Sequence, residues 1–162
     1  MKKKIVVVSL VLSIVMLLLQ VSAVFAVSPI IEVSGTIDSS GAPVTTKFVG
    51  GNRFMSVQTI STWDGGIDGG TLGSQSWITH TGGKKTSTNI KAELVFETAT
   101  VDGKTGGLII QLNLKAEWGK MNYGTWVIKD ASGGLEGLHG GGIWIYQAGV
   151  INEYVGGFHF KP

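Results

Sequence analysis

His80, His139 and His159 are the three side chains of this sequence whose ordinary titration lies nearest neutral pH, and so the natural candidates for acid–base or metal chemistry. No H-x-x-x-H spacing and no close histidine–carboxylate array joins them. Zinc would need ligands gathered from distant parts of the chain, so the expectation is no metal site and no cofactor. Glu136 and Glu153 could pair with His139 or His159 in proton transfer, but only if the fold brings them together. Cysteine is absent, which excludes a thiolate nucleophile, and no G-x-S-x-G elbow is present. Trp63 to Gly70 (Trp-Asp-Gly-Gly-Ile-Asp-Gly-Gly) has the look of a calcium loop. Its carboxylates stand four apart, without the alternating ligands and distal Glu of an EF-hand, so it reads as a turn with solvated carboxylates. Gly133 to Gly142 is not followed by Gly-Lys-Ser/Thr and sits in no βαβ unit, so it does not read as a phosphate loop. No catalytic residue can be assigned from spacing.

Recognition by shape is better supported. Asn89 to Thr98 alternates, with Ile90, Ala92, Leu94 and Phe96 on one face and Lys91, Glu93 and Glu97 on the other. Leu108, Ile110, Leu112, Leu114, Ala116 and Trp118 repeat the pattern against Gln111, Asn113, Lys115 and Glu117. If the domain binds a ligand, Ile90, Leu94, Phe96, Leu108, Ile110, Leu112 and Leu114 are the expected lining. That face carries no charge, so the expected ligand is small and largely apolar, with a few polar groups near the Gly-rich end holding it. A dry, filled core would show the same face. The five tryptophans admit two readings, an aromatic binding surface or core packing, and the second is the commoner fate of large aromatics.

Further, less regular strands are expected at Ile30 to Asp38, Val44 to Val49, Met55 to Trp63, Gly73 to Thr81, Gly124 to Lys129, Gly142 to Gln147 and Val150 to Phe160, punctuated by Gly-Gly pairs. Ile143-Trp144-Ile145-Tyr146 is apolar on both faces, as in a strand covered on both sides or set against a partner. Thr100 to Lys104 is a turn. Joining the two strands of the hairpin across a two-residue Asp102-Gly103 loop would put their apolar faces on opposite sides. A three-residue loop, Val101 to Gly103, instead pairs Phe96 with Leu108, Leu94 with Ile110 and Ala92 with Leu112. About eight strands without a helix to carry crossovers make an antiparallel barrel or sandwich.

The N-terminus has the grammar of export: Lys2, Lys3 and Lys4, an apolar run from Ile5 to Leu19, and small residues Val24 and Ala26 at −3 and −1 of a cleavage site. Residues 1–26 are therefore expected to be a signal peptide, and 27–162 a single domain that is secreted or otherwise extracytoplasmic. The alternative is a retained membrane anchor, the one route by which this chain would be expected to meet a membrane. Without residues 1–26, 136 residues remain, with ten basic side chains against eleven acidic and all 25 glycines. Apart from Lys84-Lys85 nothing basic is clustered, so no nucleic-acid partner is expected.

Gly124-Thr125-Trp126-Val127-Ile128, then Ser132 to Gly142, then Tyr154 to Phe160 resemble the pattern G-x-W-x-I, G-x-G-x-L-x-x-L-x-G-x-G, Y-x-G-x-h-H-F, where h is hydrophobic. That pattern lies near the C-terminus of a bacterial and archaeal family of unknown function, grouped with the allene oxide cyclase-like barrels, which resemble dirigent proteins and, more distantly, calycins. The resemblance covers about Trp63 to Phe160; Ser132-Gly133-Gly134 departs from the Gly-Thr-Gly more usual there. It implies an eight-stranded antiparallel β-barrel, and the spacing of Leu135 and Leu138, three apart, lets them plug one end of such a barrel in a single turn. Because related barrels are often oligomeric, it also raises a homo-oligomer as a partner. Three functions stay open: binding a small apolar ligand, cyclase or isomerase chemistry in the same cavity, and a self-associating scaffold.

Overall fold

The structure, a computed structural model, describes residues 29–80, 86–117 and 119–161. The expectations for residues 1–26, for Lys84-Lys85 and for Trp118 lie outside the described residues.

Eight antiparallel strands follow one another in order and close into a barrel. They are β1 (Ile31–Val49), β2 (Asn52–Gly65), β3 (Ile67–His80), β4 (Ser87–Val101), β5 (Lys104–Glu117), β6 (Asn122–Ala131), β7 (Leu138–Gln147) and β8 (Ile151–Phe160). Neighbours in sequence are neighbours in the sheet, which is what short turn connections without helices allow. The inward faces of β4 and β5 build the apolar wall: Leu94, Phe96, Leu108, Ile110 and Leu112 belong to the buried cluster together with Trp63, Trp126 and Tyr154. A 3₁₀ turn at Gly133–Leu135 leads into β7 and seals one end. Leu135 and Leu138 are both buried there, and Gly133 (φ 65°) and Gly137 (φ 79°) supply the left-handed backbone the tight path needs.

Four expectations need correction. Ile30 to Asp38 and Val44 to Val49 are one strand, continuous through a bulge at Val44. Pro43 is tolerated because β1 pairs with β8 only over Ile31–Thr36 and runs on as an edge strand beyond it, where an absent N–H breaks no second ladder. β7 starts at Leu138 rather than at Gly142, so Gly140 and Gly141 lie within it, and it pairs with β8 through Gly140↔Phe158, Gly141↔Gly157 and Gly142↔Gly156. Ile143-Trp144-Ile145-Tyr146 is not covered on both sides within the chain, since Trp144 is buried but Ile143 is exposed on the outer face.

The β4–β5 hairpin is the fourth. Val101 pairs directly with Lys104, so the loop has two residues, Asp102 (φ 51°) and Gly103 (φ 72°), as a type I′ turn requires. Phe96 nevertheless pairs with Leu108, Leu94 with Ile110 and Ala92 with Leu112. The parity change comes from a bulge that sets Glu97 and Thr98 against Gly107 alone, so Phe96 and Ala99 both face inward.

Candidate functional site

At the end of the barrel away from Leu135, the interior opens into a cavity of about 190 Å³. It exists because β1 parts from β8: their pairing stops at Thr36↔Glu153, and beyond it a hydrogen bond from Asn152 Nδ2 to Ser39 Oγ, 3.3 Å, spans the seam. The β4–β5 side of the cavity is aliphatic, from Ile90 and Leu114. Trp77 from β3 and Trp144 and Tyr146 from β7 give it aromatic walls. Thr59 from β2, Gln75 from β3 and Asn152 from β8 add neutral polar groups. Among the described residues no charged side chain lines it.

The polar groups have a definite order. Trp77 Nε1 donates to Gln75 Oε1 at 2.6 Å, and Trp144 Nε1 donates to Asn152 Oδ1 at 2.6 Å. Thr59 is only 5% exposed, yet its hydroxyl has no hydrogen-bond partner among the described residues. An unpaired buried hydroxyl costs about 1–3 kcal/mol.

Of the expected lining residues, Ile90 and Leu114 reach this cavity. Leu94, Phe96, Leu108, Ile110 and Leu112 lie deeper, in the packed cluster. The polar groups stand at the open end, opposite the Gly-rich end where the sequence places them; Leu135 and Leu138 fill that end instead. Sequence reasoning missed Ser39, Thr59, Gln75, Trp77, Trp144, Tyr146 and Asn152 as a group, because they come together from β1, β2, β3, β7 and β8. A signal was present in β2, where Thr59 and Ser61 occupy inward slots between Val57 and Trp63.

The acid–base candidates do not converge on the cavity. His80 bridges to the neighbouring strands, with Nδ1 3.1 Å from Asn52 Oδ1 and Nε2 3.2 Å from Asn89 Nδ2. His139 and His159 are register partners on β7 and β8, their rings stacked with centroids 5.9 Å apart. Among the described residues no group of three or more His, Cys, Asp or Glu side chains is placed to hold a metal. Asp68 Oδ1 accepts from the Gly65 N–H at 2.9 Å, making the Trp63 to Gly70 segment a strand-to-strand corner.

These features define a class: an antiparallel eight-stranded barrel, packed at one end and open at the other to a small neutral cavity. No family model matches the chain, and no curated relative matches it. Among solved structures it is similar to a protein of unknown function from the DUF3224 family of Shewanella oneidensis MR-1, with a TM-score of 0.66 and 18% identity. The match covers 83% of this chain and 99% of that one. At that identity the likeness shows a shared all-β fold.

Proposed function

We propose that this domain is a small-ligand-binding barrel acting outside the cytoplasm, with its ligand held in the open mouth between Trp77, Trp144 and Thr59. The observation that carries the reading is the Thr59 hydroxyl, buried and without a partner among the described residues, on a side chain that lines a cavity of aromatic, aliphatic and neutral polar groups. A polar group kept at such a cost in a binding wall is what a site needs to orient a ligand. Drug-sized ligands occupy roughly 300–1,000 Å³, whereas about 150 Å³ is enough for benzene. At about 190 Å³ the cavity suits one ring with a small substituent. A charged ligand would be desolvated without a counter-charge, so the ligand is neutral. The export signal read in residues 1–26 supports the location.

Thr59→Val tests the reading, since it removes the hydroxyl at nearly constant volume. The variant should be more stable than the wild type to urea, by about 1 kcal/mol, because an unsatisfied group disappears. It should also bind benzyl alcohol about three- to ten-fold more weakly by titration calorimetry. A wild-type protein that takes up neither benzyl alcohol nor toluene defeats the proposal.

A further inference from the structure

The two tryptophans of the mouth determine which way its amides face. An indole N–H can only donate, so Gln75 must turn Oε1 to Trp77 and Asn152 must turn Oδ1 to Trp144. The amide orientation is therefore fixed by chemistry, and each NH₂ group is left to point elsewhere. Asn152 Nδ2 reaches Ser39 Oγ at 3.3 Å with one of its two hydrogens, and Gln75 Nε2 has no partner among the described residues. Both side chains line the cavity. The hydroxyls of Thr59, Ser39 and Tyr146 can donate or accept, so they follow whatever the ligand presents. The groups of fixed polarity thus leave three amide hydrogens for an occupant, two on Gln75 and one on Asn152, against one remaining lone pair on each amide oxygen, so donors outnumber acceptors.

Resting on the binding proposal above, we infer that the ligand is a neutral single-ring molecule bearing a hydrogen-bond acceptor, a ketone, ester, lactone or ether oxygen, received by Gln75 Nε2 and Asn152 Nδ2. The indoles act as positioning residues: they touch the ligand through their ring faces and set its polarity through the amides they hold. A ligand offering only N–H donors would leave these amide hydrogens unpaired.

The test compares acetophenone with ethylbenzene, which has a similar shape and no acceptor, on the full-length protein. Binding is followed through the Trp77 and Trp144 indole N–H resonances, assigned with Trp77→Phe and Trp144→Phe. The expected result is acetophenone tighter than ethylbenzene by about three- to ten-fold, with both resonances shifting. Gln75→Glu keeps the acceptor for Trp77 and removes the donors; it should erase that margin. If the new carboxyl unfolds the protein, Gln75→Met removes the same donors without charge and should give the same loss. Equal affinity of the two probes for the wild type overturns this inference and leaves the binding proposal standing. Failure of both probes to bind overturns the binding proposal, and this inference with it.

Discussion

Tyr154 of β8 holds the start of β3 through one oxygen. Its hydroxyl accepts from the Ile67 N–H at 2.8 Å and donates to the Ile67 carbonyl at 3.1 Å, while its ring packs on Trp63 at 4.6 Å and edge-on to Trp126 at 6.1 Å. It faces Gly35 of β1, where a Cβ would lie 2.6 Å from the same hydroxyl. Tyr154→Phe would leave two buried backbone groups of Ile67 unpaired, at about 1–3 kcal/mol each, and should lower the urea midpoint accordingly. Burial pushes the phenol above its ordinary value of 10.0; Asp68 and Asp64 push the same way, and the Ile67 hydrogen bond opposes them. The unfolded chain loses this proton first, so the phenol's contribution is complete below about pH 10 and falls as pH rises through the folded value. Wild-type stability should therefore decline above pH 10 more steeply than that of Tyr154→Phe, as denaturation at stepped pH would show. Equal slopes would refute the assignment.

At the scale of elements, the β4–β5 hairpin shows what alternation can and cannot reveal. The inward faces of both strands and the partners Phe96 and Leu108 were legible, because a buried face tolerates only one register. The device that achieves it was not, since a bulge at Glu97 and Thr98 and a three-residue turn solve the same parity problem. Asp102-Gly103 is the stronger local signal, and it wins because both its residues accept positive φ. Deleting Thr98 should turn Ala99 and Val101, both essentially fully buried, to the outer face. The loss of Val101 burial alone is worth about 1.5–3 kcal/mol, so the deletion variant should lose at least that in urea denaturation. In the same way the two strands expected at Ile30 to Asp38 and Val44 to Val49 are one, running through Pro43, which a central strand would exclude and the edge stretch of β1 tolerates.

For the whole molecule, closure depends on the short ladder between β1 and β8, Ile31–Thr36. The β4–β5 ladder runs from Ser87↔Glu117 to Val101↔Lys104. The barrel should open first at its seam: amides of Ser34 to Thr36 should exchange with deuterium faster than those of Ala92 to Leu94, and equal protection would contradict this. The cavity lies at the same seam, which is why the candidate site was the least legible part of the sequence. Thr59, Gln75 and Asn152 fall in strands whose local pattern concerns only their own faces. Their convergence depends on where a closed sheet brings its first and last strands together.

The abundance of glycine acquires a purpose in the contact between β6 and the β7–β8 pair. Trp126 lies over Gly142 and Gly156, which are register partners. A Cβ on Gly142 would come within 2.7 Å of the indole nitrogen, and one on Gly156 within 2.6 Å of its ring. The bare backbone of two strands is thus the mould in which one large ring is cast, and that ring in turn donates to the Val155 carbonyl at 3.1 Å. Mould and casting must change together. Gly156→Ala should be strongly destabilising alone and only partly relieved beside Trp126→Leu, because its Cβ would also meet the Gly141 carbonyl; a double-mutant cycle should return a coupling of about 0.5–3 kcal/mol. Among diverging descendants of this barrel, position 126 and the pair 142 and 156 should therefore drift as a single heritable unit.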